Sequence, residues 1–205
     1  MNRIYAIVGK ACAGKDSIVK ELSNRTNLSI ATSFTTRPMR EGEHQGVEYN
    51  FIDNDTFMKL KDDNQIVEYT SYTVASGEVW YYGLTKEELE KNEFVLVIVN
   101  PTGVKSLKEL YGDKVKVILI TADDKERIKR YLNRDNTNNV AECCRRFLAD
   151  EKDFKGFESD YVLTNENLDC TVEKLRKIIG MDIAHNIMKD INRKFKNNPA
   201  MFFGR

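Results

Sequence analysis

Arg3-Ile4-Tyr5-Ala6-Ile7-Val8-Gly9-Lys10-Ala11-Cys12-Ala13-Gly14-Lys15-Asp16-Ser17 is the stretch on which the reading of the fold turns. Arg3 to Gly9 is a β-branched apolar run closed by glycine, a glycine-bounded loop follows, and Ser17 to Leu22 has helical spacing. The spacing predicts strand, loop, helix. Gly9 to Lys15 also fits G-x-x-x-x-G-K at the place where its mechanism needs it. Glycines let successive backbone N–H groups curl around a polyphosphate, the helix start adds positive potential, and Lys15 bridges the outer phosphates. The expected nucleotide-contacting set is Gly9, Lys10, Ala11, Cys12, Ala13, Gly14, Lys15, Asp16 and Ser17. An ordinary glycine turn needs neither the spacing nor the lysine. Where Ser or Thr normally follows the lysine and ligates Mg²⁺, this chain has Asp16 and then Ser17. A carboxylate is itself a hard oxygen ligand suited to Mg²⁺. The alternative is that Asp16 only interacts favourably with the helix N-terminus.

Outward from this unit, Phe94 to Val99 and Val115 to Thr121 repeat the buried-strand pattern, with a helical Gly103 to Tyr111 between them. Asp160 to Thr164 precedes a further helix, Leu168 to Ile179. Continuous rather than alternating hydrophobicity suits parallel strands covered on both faces. The expected class is α/β, a three-layer core built on a parallel sheet. From Glu48 to Thr85, short aromatic-rich runs between polar turns, including Ser76-Gly77, read as a small antiparallel insertion. Asp123-x-x-Glu126 resembles a capping box. Within Asp123 to Arg134, Ile128, Tyr131 and Leu132 form the apolar face, and Arg127, Arg130 and Arg134 fall together on another. Val140 to Phe154 is expected to pack through Val140, Cys144, Phe147 and Leu148, after a polar link, Asp135 to Asn139, that can hinge. Asp182 to Asn197 carries Ala184, Ile187, Met188, Ile191 and Phe195 at helical spacing, which suggests a helix docked on this chain or on a dimer mate.

Composition narrows the function. The chain has 205 residues, with Lys+Arg and Asp+Glu at 32 each, so its net charge is zero. That balance argues against a surface that coats nucleic acid, though not against a local basic pocket. The longest clean apolar run, Phe94 to Val99, is far below the roughly 20 residues needed to span a bilayer, and Met1-Asn2-Arg3 is expected to enter a short strand-like run rather than a signal sequence. A cytoplasmic protein without membrane or nucleic-acid partners is expected. Cys12, Cys143, Cys144 and Cys170 show no C-x-x-C spacing, and His44 and His185 are the only imidazoles, so no local zinc constellation can be assembled. Any metal should arrive with a substrate.

A second constellation spans Ser33 to Phe51, in which Arg37 and Arg40 stand three apart, flanked by hydroxyls and followed by Tyr49. Such a group can hold a phosphomonoester dianion by charge-assisted, partly bidentate hydrogen bonds. The bland alternative for arginines near Pro and Gly is a solvated loop. The phosphate loop, the Ser33 to Phe51 segment, Trp80-Tyr81-Tyr82-Gly83, the pair Arg130 and Arg134, and Asn165-Glu166 follow in the order and approximate spacing of guanylate kinases, and the chain resembles that family over roughly residues 3 to 180.

The resemblance implies a phosphate-loop α/β core (1–32 and 86–180), a nucleoside-monophosphate-binding insertion (33–85), a mobile helical lid (about 125–146) and a helical C-terminal extension (181–205). It also implies that Arg37, Arg40, Tyr49 and Tyr82 bind the acceptor phosphate and that Ser33 and Glu68 read guanine. Lys15, Arg130, Arg134 and Arg146 would face the transferring phosphoryl, with Mg²⁺ entering alongside ATP. The chain departs from the pattern at Leu84, where a hydroxyl residue usually sits, and at Ile98 and Asn100, where strand-end aspartates would be. The expected activity is ATP-dependent phosphorylation of a nucleoside monophosphate, GMP or dGMP first, by a monomer or homodimer. The rivals are a deoxynucleotide kinase of different base preference and a non-catalytic module of the same family that binds a phosphorylated ligand. Retention of Gly9, Gly14, Lys15 and the arginines favours the enzyme.

Overall fold

A computed structural model describes residues 3–73, 77–133 and 140–197. Strand β1 (Arg3–Val8) is the centre of a five-stranded sheet. Its order is β2 (Ser29–Ile30), β7 (Phe94–Ile98), β1, β8 (Val115–Thr121), β9 (Tyr161–Thr164), and every pairing is parallel. Because side chains alternate across a strand, β1 feeds two separate cores. Ile4, Ala6 and Val8 meet Val95, Val97, Val115 and Val117 on one face. That face is closed by Leu89 of α3 (Lys86–Glu90) and by Val104 and Leu107 of α4 (Pro101–Tyr111). Tyr5 and Ile7 join Leu96, Ile118 and Ile120 on the other, under Ile18, Val19 and Leu22 of α1 (Lys15–Arg25) and Val172, Leu175 and Ile179 of α7 (Leu168–Asn197). The expected three-layer α/β core is what forms.

A second, mixed sheet has the order β4 (Asn50–Phe51), β3 (Phe34–Thr35), β6 (Val79–Thr85), β5 (Ile66–Thr73). The β5–β6 and β3–β6 pairs are antiparallel and β3–β4 is parallel. The aromatic runs of the sequence thus become a sheet, joined by α2 (Asn54–Asp62), whose N-terminus is capped by Asp53 accepting from Thr56 N at 2.7 Å. Phe57 of α2 stacks on Tyr81 at 5.2 Å and is fully buried, which pins the helix to the sheet. Ala75 and Ser76 of the expected turn lie outside the described residues.

Two helices depart from their expected faces. On α5 (Asp124–Leu132) the apolar side is outward, with Ile128 and Leu132 at 41% and 43% exposure, whereas Arg127 is 1% exposed. On α6 (Val140–Asp153), Val140, Cys144 and Leu148 are exposed, Phe147 is half-buried and Cys143 is the buried position. Periodicity finds such a stripe but not the identity of its partner, and here the partner is a polar loop. The expected helices at Leu168 to Ile179 and Asp182 to Asn197 are one continuous α7, about 45 Å long at the α-helical rise. Its distal apolar residues Ile187, Met188 and Ile191 are exposed rather than docked within this chain.

Beyond the apolar contacts of Val172, Leu175 and Ile179, a polar tie joins α7 to the sheet through Asp182, only 9% exposed. Arg3 grips it through Nε and Nη2 at 2.8 and 2.7 Å, and the Tyr5 hydroxyl donates to it at 3.0 Å. Burial pushes the Asp182 carboxyl up, but these bonds outweigh it and hold it below the ordinary carboxylate value. Its contribution is therefore present above that ordinary value and lost as pH falls through the depressed one. Asp182→Asn should lower unfolding free energy by about 2–3 kcal/mol near neutrality, because the half-buried Arg3 cation loses its partner. Urea titrations at falling pH should show the wild-type advantage shrinking as the carboxylate protonates.

Candidate active site

The phosphate loop is shaped by positive φ at two positions, Cys12 (59°) and Gly14 (96°). Gly14 is obligatory for a second reason: a Cβ there would lie 2.3 Å from Asn165 Nδ2. That amide donates to Ala13 O at 2.8 Å, and Thr171 donates to Asn165 Oδ1 at 3.3 Å, so the end of β9 holds the loop from beneath. Lys15 turns back over the loop and donates to Gly9 O at 2.6 Å and Lys10 O at 3.2 Å. Burial lowers the Lys15 ammonium pKa, with Asp16 and Asp150 acting against the shift. An incoming polyphosphate would favour the charged form in the same way. Asp16 and Ser17 are both exposed at the start of α1.

The arginine face of α5 closes on this loop. Arg127 donates from Nε to Ala11 O at 2.8 Å and pairs with Asp124 and Asp150, its guanidinium 4.4 Å from the Phe147 ring centre. Asp150 of α6 in turn accepts from Ala11 N at 2.8 Å, and Glu151 pairs with Lys10. Arg130 reaches Cys12 O and Ala13 O at 3.3 Å each and Asn165 O at 3.1 Å. The structure thus brings Lys15 and Arg130 together at the loop. Arg146 is exposed on α6, and Arg134, with the expected hinge 135–139, lies outside the described residues. Arg127 and Asp150 are the contributors that sequence reasoning did not assign a role. The signal for the first was there, since Arg127 shares its helix face with Arg130.

The second sheet supplies the other half. Arg37 is 4% exposed and donates to both oxygens of Glu43, from Nη1 at 2.7 Å and Nη2 at 2.5 Å. Its guanidinium lies 5.1 and 5.3 Å from the ring centres of Tyr49 and Phe51. The bond to Glu43 raises the Arg37 pKa and, from the other side, lowers that of Glu43. Tyr49 packs edge-on against Tyr82 at 5.7 Å. Burial, reinforced by the negative charge of Asp16, pushes the Tyr49 phenol up to about 12, so it stays a hydrogen-bond donor at neutral pH. Through Asp16 the phosphate loop and this pocket feel each other's charge. Arg40 is exposed, with its backbone N–H donated to Glu43. Ser33 is half-buried just before β3, and its carbonyl accepts from Asn50 N at 2.9 Å.

Glu68 on β5 faces the first turn of α4. A Cβ on Gly103 would come within 3.0 Å of Glu68 Oε2, so glycine is what lets the carboxylate approach. Asn100 caps that turn, its Oδ1 accepting from Gly103 N at 2.7 Å. Leu84 is fully buried in the core. Burial alone pushes the Glu68 carboxyl up to about 7, and no charged neighbour offsets it.

A phosphate loop at the head of α1, together with an arginine and tyrosine cluster on a separate small sheet, is the equipment of a phosphate-loop nucleoside monophosphate kinase. The family model for guanylate kinase matches residues 1–182, and the chain belongs to the guanylate kinase family. It is 31% identical to a guanylate kinase of Wigglesworthia glossinidia brevipalpis, over 98% of this chain and 96% of the relative. It is 29% identical to one from Prochlorococcus marinus subsp. pastoris, over 87% and 97%. The crystal structure of guanylate kinase from Anaplasma phagocytophilum shares the fold with a TM-score of 0.64 at 22% identity, covering 88% of this chain and 86% of that one.

Glu68 has a pH signature. A carboxyl with an ordinary value of 4.5 raised to about 7 binds its proton more tightly folded than unfolded. Its stabilising contribution is complete below the ordinary value and lost as pH rises through about 7. Glu68→Gln, which cannot ionise, should gain on wild type by up to about 3 kcal/mol between about pH 5 and pH 8.5 in urea unfolding.

Proposed function

We propose that this chain transfers the γ-phosphoryl group of ATP, bound with Mg²⁺, to the phosphate of GMP or dGMP. The observation that carries the reading is the combination of a phosphate loop closed by Lys15 with a cluster of Arg37, Tyr49 and Tyr82, the charge of Asp16 acting on both Lys15 and Tyr49. A nucleoside monophosphate has its second pKa near 6, so the attacking oxygen is already ionised at neutral pH and no general base is needed. The remaining task is to align two repelling anions and neutralise charge on the moving phosphoryl. Lys15 and Arg130 act from the donor side, with Arg134 and Arg146 on a lid of about residues 125–146. Arg37, Arg40, Tyr49 and Tyr82 hold the acceptor phosphate from the insertion 33–85.

Mg²⁺ fits the donors at the loop: Asp16 offers one exposed hard carboxylate, and no cluster of three potential metal-ligating side chains exists among the described residues. That suits an ion that keeps waters and takes the rest of its ligands from substrate phosphates, supplying charge neutralisation there. Glu68 suits guanine because its carboxylate accepts no described hydrogen bond and can take the adjacent N1–H and N2–H₂ donors of that base. Ser33, half-buried just before β3, is the second residue assigned to the base. A different base preference is the second reading, favoured by buried Leu84 and by an Asn100 whose oxygen is committed to its helix cap. No described helix is long and apolar enough to cross a membrane.

A coupled assay with ATP across GMP, dGMP, AMP, dTMP, UMP and CMP should give the highest kcat/KM with GMP or dGMP. A pyrimidine or adenine acceptor in first place would overturn the base assignment and leave the kinase standing. Lys15→Ala should lower kcat by roughly two to three decades with the fold intact by circular dichroism, in line with loss of a phosphoryl clamp.

A further inference from the structure

Arg37 has five N–H donors, and three of them are engaged. Nη1 bonds Pro38 O at 2.8 Å and Glu43 Oε2 at 2.7 Å, and Nη2 bonds Glu43 Oε1 at 2.5 Å. The Nε–H and the second Nη2–H remain, and together they make the side edge of the guanidinium, a second two-pronged fork. Nε has no hydrogen-bond partner among the described residues, and since no buried side-chain nitrogen or oxygen there lacks one, Nε is not fully sequestered. The Tyr49 and Phe51 rings flank the group, and Glu43 is itself anchored by Arg40 N at 2.9 Å.

We propose that Glu43 is a positioning residue for the acceptor: it clamps the end fork of Arg37 so that the side fork is presented, in a fixed plane, to the acceptor phosphate. The proposal rests on the reading of Arg37 as a phosphate ligand. Carboxylate and phosphate use different edges, so both bind at once and neither displaces the other. A buried cation without Glu43 would turn its donors toward whatever acceptor lies nearest, and the fork would lose its aim. The Arg37–Glu43 pair is neutral as a unit, which leaves exposed Arg40 to supply the net positive charge that draws the dianion in.

A double-mutant cycle tests this with GMP kinetics and calorimetric GMP binding on wild type, Glu43→Ala, Arg37→Ala and the double variant. Glu43→Ala should raise the KM and Kd for GMP by about tenfold or more, with kcat changed only a few-fold and the KM for ATP unchanged. Glu43→Gln, which keeps the shape and one acceptor, should fall between Glu43→Ala and wild type, and it stands in if the alanine variant folds poorly. In the Arg37→Ala background, removing Glu43 should add less than about twofold, since it acts through Arg37. Equal penalties in both backgrounds, or tighter GMP binding by Glu43→Ala, would overturn the proposal. If Arg37→Ala alone leaves GMP affinity unchanged, the phosphate-ligand reading falls and the role of Glu43 falls with it. An effect of Arg37→Ala with none from Glu43→Ala removes only the latter.

Discussion

A cation that is 1% exposed cannot remain in a folded protein without compensation, and the way Arg127 is compensated organises the nucleotide end of this molecule. Its guanidinium donates to the carbonyl of Ala11 and pairs with Asp150, which accepts the N–H of the same Ala11. Both backbone groups of one loop residue are thus held by the two halves of one ion pair. With Asn165 beneath Ala13 and Arg130 across Cys12 and Ala13, the loop has its curvature imposed from α5, α6 and β9 rather than from its own glycines alone. Cys12 at positive φ is a conformation a Cβ-bearing residue adopts only when its surroundings over-determine it.

The Arg37 pocket uses the same physics with a different outcome. There the buried arginine is neutralised on one edge only, and its partner comes from the same loop, six residues along. One buried guanidinium serves to brace backbone and the other keeps donors in reserve. Glu68 is the opposite case, a carboxyl whose burial is not matched by a partner among the described residues and whose proton affinity rises as a result.

These contrasts explain what the sequence disclosed. β1, β7 and β8 were legible because runs buried on both faces write their burial into consecutive residues, and the phosphate loop was legible because its function is contiguous. Arg37, Arg40, Tyr49 and Tyr82 were singled out through family likeness more than through spacing, and three of them, Arg37, Tyr49 and Tyr82, lie together on the mixed-sheet side of the fold. The face of α5 was not, since periodicity assumes that apolar residues face inward, and Arg127 is drawn in by Ala11, 116 positions away. Asn165 beneath Ala13, 152 positions apart, and Asp182 against Arg3, 179 apart, are likewise products of topology that no local pattern announces. The fusion of two expected helices into α7 has a local reading: Gly180 is not among the glycines at positive φ, so the helix runs through it from Ile179 to Asp182.

The sheet order β2-β7-β1-β8-β9 also governs how the chain comes into being. β1 is the first strand made, yet both of its neighbours begin at residue 94 or later, and the groups that hold Ala11 and Ala13 come from residues 127, 150 and 165. A growing polypeptide therefore carries its phosphate loop as unsupported chain until residue 165 of 205 has left the ribosome. Competence to grip a nucleotide arrives late and all at once, so that in this architecture ATP can stabilise only molecules whose central sheet is already complete.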